Sequence, residues 1–118
     1  IEEADISITA GDAWDNSVGG LLGYGPQTTI TNCYVANSSV SGVFAGGLAG
    51  QDASSIVNCY VTDTDITRVI KEGSPNYGAC GGIKVNGTGG GLKNCYFSGT
   101  LDGNERSFDV LRGHQHYR

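Results

Sequence analysis

The sequence predicts an all-β protein, a parallel β-solenoid (β-helix) of about three to four coils. Three observations predict it. An Asn-Cys-Tyr phrase occurs three times, beginning at Asn32, Asn58 and Asn94. A Gly-Gly-apolar phrase precedes each copy at a nearly constant distance. Elsewhere the apolar residues alternate over short runs, which is the period of a strand and not of a helix.

The two phrases together define one repeat. The first glycine of each pair lies 13, 12 and 13 residues before the asparagine. From the asparagine to the next glycine pair the distance is 14 and then 23 residues, and the longer case contains TRVIKEGSPNYG, which indicates an inserted loop. The repeats therefore lie near 18–44, 45–79 and 80–103, after a partial repeat over 1–17. Residues 104–118 have no repeat character and are interpreted as a cap, a tail or a linker.

Within each repeat the alternation changes phase at the asparagine. Cys33 and Val35 fall on one face with Tyr34 on the other, and the later repeats copy this order. A phase change of this kind predicts a corner, and parallel pairing of successive coils stacks like residues about 4.8 Å apart. The predicted ladders are Asn32, Asn58 and Asn94; Cys33, Cys59 and Cys95; and Tyr34, Tyr60 and Tyr96. Asparagine suits the bend, cysteine fills a narrow interior corner, and the glycines allow close backbone approach.

Composition and charge exclude several classes of function. The chain has 118 residues, with 20 glycines and a net charge of −5. This acidity disfavours binding to nucleic acids and to anionic membranes, because a protein that binds either of them needs a basic face. No apolar run approaches the roughly 20 residues of a membrane helix. The first residue, Ile1, leads us to expect a processed chain or a piece of a longer one, and Asn37 and Asn86 open glycosylation sequons.

The repeats resemble the GLUG-motif family. VGGLLGYGPQTTITNCYVANSSVSG and AGGLAGQDASSIVNCYVTDTDIT are similar to its Gly-Gly-Leu-x-Gly and Ile-x-Asn-Ser/Cys-Tyr phrases, and the match covers roughly Val18 to Gly103. The third repeat departs from the pattern, with Ile83 and Lys84 where Leu-x-Gly is expected. The resemblance implies a β-solenoid spacer or binding module of a bacterial secreted or surface protein, and it carries over no catalytic residue.

The cysteines are interpreted as buried thiols, because in-register parallel neighbours point the same way and suit a disulfide poorly. Cys80 takes the place of Val18 and Ala45 in the other repeats, so a bridge from Cys80 to one ladder member is the alternative. No CxxC spacing supports a zinc site, so no metal and no cofactor are expected.

Tyr34, Tyr60 and Tyr96 are the candidate binding residues, as an outward aromatic strip for a sugar or protein; packing against neighbouring side chains is the alternative. Asp63 and Asp65 are read as a solvated strand face, with weak calcium binding as the alternative. The positions three after each tyrosine are Asn37, Asp63 and Gly99, which predicts no acidic column there.

The remaining candidates are weaker. Asp12, Trp14 and Asp15 are read as a loop that covers the core, and His114 and His116 as part of a tail.

We therefore expect a non-catalytic structural or adhesive module, secreted or on the cell surface. Its expected partners are a host or cell-surface protein or glycan, or a second copy through the solenoid ends. The alternatives are a filament subunit that stacks end to end and, less favoured, a carbohydrate-active enzyme with carboxylates gathered by the 69–77 loop.

Overall fold

The computed structural model describes residues 1–7, 17–70, 73, 78–86 and 91–113. Side chains are described within those ranges except at 25–27, 51–54, 86 and 108–113. The described residues form β-strands and no helix. The strands are β1 (Asp5–Ser7), β2 (Ser17–Gly19), β3 (Leu22–Thr31), β4 (Tyr34–Ala36), β5 (Ser39–Gly42), β6 (Phe44–Gly46), β7 (Ala49–Arg68), β8 (Ala79–Gly81), β9 (Lys84–Asn86), β10 (Leu92–Leu101) and β11 (Asn104–Gly113).

The chain makes three passes that pair with one another in parallel. Pass 1 contains β2 to β5, pass 2 contains β6 and β7, and pass 3 contains β8 to β10. The larger sheet has the order β1-β5-β7-β10-β11, with β3, β4 and β9 also paired to β7; the smaller sheet has the order β2-β6-β8. Only β10 and β11 pair antiparallel among the described strands. The all-β class with stacked parallel strands is therefore found as the sequence predicts.

The register between passes follows the repeated phrases. In the smaller sheet Val18 pairs with Ala45, which pairs with Cys80. In the larger sheet the repeated tyrosines pair, Tyr34 with Tyr60 and Tyr60 with Tyr96. The glycine pairs lie where the backbones approach most closely. A Cβ on Gly47, for example, would lie 2.0 Å from the carbonyl oxygen of Gly82, so only glycine fits there.

The core consists of apolar columns with one residue from each pass. Val35, Val61 and Phe97 form one column and are 0% exposed. Leu48 and Ile83 occupy another and are likewise 0% exposed. Burial of each such side chain stabilises the fold by about 1.5–3 kcal/mol. The β-branched and aromatic residues of β7 and β10 suit this half-buried, pleated surface.

Residues beyond pass 3 form a hairpin with it. Asp102 (φ 49°) and Gly103 (φ 83°) are both left-handed, which is the backbone of a two-residue type I′ turn. The turn reverses the chain, and β11 pairs along β10 from Leu101↔Asn104 to Leu92↔Gly113. The edge of β10 that faces away from pass 2 is therefore covered by β11.

Candidate functional site

Tyr34, Tyr60 and Tyr96 form one column, called here the tyrosine column. Each follows an asparagine corner at the start of a strand segment and points out of the core. The rings of Tyr34 and Tyr60 are stacked, with centroids 5.0 Å apart and planes inclined by 8°. Tyr60 and Tyr96 are 43% and 38% exposed. Tyr34 and Tyr60 each cover one ring face of the other, which leaves less aromatic face for stacking against a sugar and favours hydrogen bonding through the hydroxyl groups.

The first residues of the chain hold one end of this column. The Tyr34 hydroxyl donates a 2.6 Å hydrogen bond to Oε1 of Glu2. This hydrogen bond, together with the carboxylate charge, raises the pKa of Tyr34 above its ordinary value. Backbone bonds fix the same segment, since Ala36 N–H donates to the carbonyl of Ile1 and Glu3 N–H to that of Ala36. The Tyr34 hydroxyl is therefore fixed by its hydrogen bond to Glu2, whereas Tyr60 and Tyr96 are the more exposed residues of the tyrosine column.

The asparagines before the tyrosines form the corners. Asn32, Asn58 and Asn94 have φ values of 57°, 56° and 51°, in the left-handed region that asparagine tolerates better than most residues. Nδ2 of Asn94 donates to Oδ1 of Asn58 at 3.1 Å, so the corner side chains of passes 2 and 3 are bonded to each other. A second corner in the first two passes has the same backbone, at Asn37 (φ 52°) and Asp63 (φ 48°).

The cysteine after each asparagine is a hydrogen-bond donor at the corner. Each thiol donates to the carbonyl two residues earlier: Cys33 to Thr31 at 3.2 Å, Cys59 to Val57 at 3.2 Å and Cys95 to Lys93 at 3.4 Å. Hydroxyl groups do the same at the second corner, where Ser38 donates to Ala36 at 2.7 Å and Thr64 to Thr62 at 2.8 Å. Both corners thus use a left-handed residue followed by a small side chain with a donor.

None of the four cysteines forms a disulfide in this structure. Burial raises the pKa of Cys59 and of Cys95, so these ladder thiols remain protonated and unreactive. Cys80 lies in the smaller sheet, and burial and the nearby Asp102 carboxylate raise its pKa to about 11. Asp102 also accepts the backbone N–H of Arg68 at 2.7 Å, so this turn residue links β7, β8 and the hairpin.

A polar groove lies beside the second corner. Its volume is about 650 Å³, and its lining includes Asp63, Asp65, Thr100, Glu105 and Arg106. The hydroxyl of Thr100 donates to Asp65 Oδ1 at 2.8 Å. Pass 3 is one residue shorter beside this groove, which shifts the register between Phe97 and Gly99.

That shift corrects one sequence-based alignment. Gly99 pairs with Thr64, whereas the spacing from the tyrosine placed it level with Asp63. A deletion of one residue at a corner leaves no mark in the repeated phrases, so the spacing could not show it. The hairpin was also missed, although Asp102-Gly103 between alternating residues is a recognised signal for a two-residue turn.

Other candidates fall outside the site or outside the described residues. Asp12, Trp14, Asp15, His114 and His116 are not among the described residues, nor is most of the 69–77 loop. Within the described ranges, no group of three or more His, Cys, Asp or Glu side chains is arranged to hold a metal ion. The same part of the chain contains no helix that could cross a membrane. Comparisons with family models, with curated proteins and with solved structures found no match.

Proposed function

We propose that this chain is a non-catalytic β-solenoid module of a secreted or cell-surface bacterial protein, and that it acts in adhesion. The proposal takes the three passes as coils of GLUG-type repeats. Its main support is the register: like residues of successive passes lie side by side at the asparagine corners, in the core columns and in the tyrosine column. Such stacking produces a rigid body whose outward side chains recur at a fixed spacing.

The tyrosine column is the proposed contact surface. Two of its three rings are well exposed, and its hydroxyls recur at the strand spacing of about 4.8 Å. Aromatic residues with one polar end are favoured at interfaces because they combine apolar area with a hydrogen bond. A host or cell-surface protein or a glycan, bound through hydrogen bonds to the ring hydroxyls, fits this surface.

Assembly into an end-to-end filament is less favoured than the adhesive role. A second copy stacked on pass 3 in the parallel register of the other passes would need the outer edge of β10. In each copy β11 already pairs along that edge, from Leu92 to Leu101. Growth at this end therefore requires the loss of an entire strand pairing.

The contact surface is tested by binding of the folded chain to immobilised glycans and extracellular-matrix proteins. We expect the Tyr60→Ser, Tyr96→Ser double variant to lose binding by about tenfold or more, since a partner contact of this kind contributes more than about 1.4 kcal/mol. Tyr24→Ser is the matched control, because Tyr24 is 60% exposed but lies outside the column. Equal loss in both variants, or unchanged binding in the double variant, would refute the assignment.

A further inference from the structure

The hairpin of β10 and β11 is where the described strands stop pairing in parallel. β11 runs antiparallel to β10 and pairs with it from Leu92↔Gly113 to Leu101↔Asn104. Residues 104–113 contain neither a glycine pair nor an Asn-Cys-Tyr phrase, so they do not form a further coil. β11 therefore occupies the place beside β10 that a fourth parallel pass would take.

β11 is anchored to the rest of the fold at the turn. The Asp102 carboxylate accepts a 2.7 Å hydrogen bond from the backbone N–H of Arg68, and the backbone N–H of Asp102 donates to the carbonyl of Ile66 at 2.9 Å. Both bonds fix the turn to β7. Beyond the turn, β10 is the only described strand that pairs with β11. β11 can therefore separate from β10 while the three passes keep their pairing with one another.

The two strands of the hairpin differ in charge. The segment of β10 after its asparagine corner, residues 95–101, has the sequence CYFSGTL and contains no charged residue. Its side chains Cys95, Phe97 and Leu101 are buried. The sequence of β11 contains four charged residues, which are Glu105, Arg106, Asp109 and Arg112. Charged residues protect an edge strand from pairing with other chains, so an unprotected strand is covered here by a protected one.

We infer that β11 is an autoinhibitory cap: it keeps a second copy of this chain from pairing with β10, and two copies associate through β10 when it is displaced. The segment 95–101 is complementary to itself in the antiparallel direction that β11 now uses. A two-fold axis at Ser98 places Cys95 of one copy opposite Leu101 of the other. Both side chains are buried, so the core sides of the two strands coincide.

The backbone groups of β10 suit the same pairing. The two-residue turn makes Leu101 and Asn104 a hydrogen-bonded pair, so every second residue from Leu101 back to Cys95 directs its N–H and C=O toward β11. In the two-fold arrangement these groups face their counterparts in the second copy. The contact uses one end of the stack, brings no like charges together and closes at two subunits, unlike a filament. It concerns assembly and goes beyond the proposed adhesive role.

The test is sedimentation equilibrium of the full chain with proline in β11. By the same alternation the N–H of Arg106 is directed at β10, so Arg106→Pro should displace β11. The N–H of Ser107 is directed away from β10, so Ser107→Pro is the matched control. The unmodified chain and Ser107→Pro should remain at 12.2 kDa, whereas Arg106→Pro should rise toward twice that mass and stop there. Its dimer should be at least about tenfold tighter than any dimer of the unmodified chain.

Hydrogen exchange on the same samples shows whether β11 has opened and whether the passes remain folded. In Arg106→Pro the amides of β11 should lose protection, while those of Tyr60 and Asp65 keep it. Asp102→Gly is a milder second variant, because it keeps a glycine-compatible turn but removes the anchor to Arg68, and it should shift both measurements in the same direction. A folded variant with open β11 that stays monomeric, a dimer in which β11 remains protected, or equal association of Ser107→Pro would each overturn the inference.

Discussion

Replacement of Cys59 separates hydrogen bonding from simple packing at the corner. Cys59 is 2% exposed, and its thiol lies 3.2 Å from the carbonyl oxygen of Val57 and 3.7 Å from that of Ile30. If the side chain only fills space, Ala should be tolerated better than Ser, because a hydroxyl is costly in an apolar site. If the donor matters, the order is reversed, because Ser retains a donor directed at the same carbonyl.

The structure favours the donor role, since Ser38 and Thr64 make this bond with hydroxyl groups at the second corner. Cys59→Ala loses the volume of the sulfur, worth roughly one methylene or about 0.8 kcal/mol, and a weak hydrogen bond of about 0.5 kcal/mol. Cys59→Ser keeps the bond, so its loss should be smaller by about 0.5–1 kcal/mol. Urea unfolding resolves this difference as a midpoint shift of about 0.3–0.5 M.

Val61 is the control position for this comparison. It is 0% exposed and its side chain has no donor, so Ser there should be worse than Ala by about 1 kcal/mol or more. Ser is therefore expected to be more stable than Ala at Cys59 and less stable than Ala at Val61, two buried sites of the same strand. It is refuted if Cys59→Ser proves less stable than Cys59→Ala, which is the order that packing alone predicts.

Three further predictions use the same unfolding assay. Asn58→Ala should cost about 1–2 kcal/mol, because Asn58 is left-handed at φ 56°, and Asn58→Gly should cost less; equal losses would contradict a backbone origin. Gly47→Ala should be strongly destabilising, because its Cβ would lie 2.0 Å from a carbonyl oxygen, whereas Gly91→Ala, with nothing within 4 Å, should change stability by no more than about 0.5 kcal/mol. The raised pKa of Cys80, about 11, favours the protonated thiol in the folded state, so stability should fall as pH rises from 9 toward 11; Cys80→Ala should flatten that fall, and an unchanged pH profile would refute it.

The all-β class and the pairing of successive repeats could be predicted because the Asn-Cys-Tyr phrase occurs once in each pass of the fold. Each Asn-Cys-Tyr phrase combines a left-handed corner, a corner donor and an outward ring, so its position in the sequence determines its position in the stack. The role of the cysteine as a donor was not predicted, since cysteine at a buried position also fits apolar packing.

The groove and the hairpin could not be predicted from the repeated sequence phrases. The groove is lined by residues of β7, β10 and β11, and the register shift beside it depends on one missing residue near Gly99, which changes the register of only one pair of strands. The hairpin depends on residues 104–113, which follow no repeat and pair in the opposite direction. The link from Asp102 to Arg68 and Cys80 joins residues far apart in the sequence, and only the fold brings them together.

The stacking of the passes is tested most directly by NMR detection of scalar couplings across their backbone hydrogen bonds. Correlations are expected from the amide of Tyr60 to the carbonyl of Cys33 and from the amide of Asp65 to the carbonyl of Ser38, whose N···O distances are 3.2 Å and 2.9 Å. Both correlations together establish the parallel register between passes 1 and 2. Correlations from these amides to other carbonyls, displaced by one or more residues or in antiparallel order, would contradict the parallel stacking of the passes.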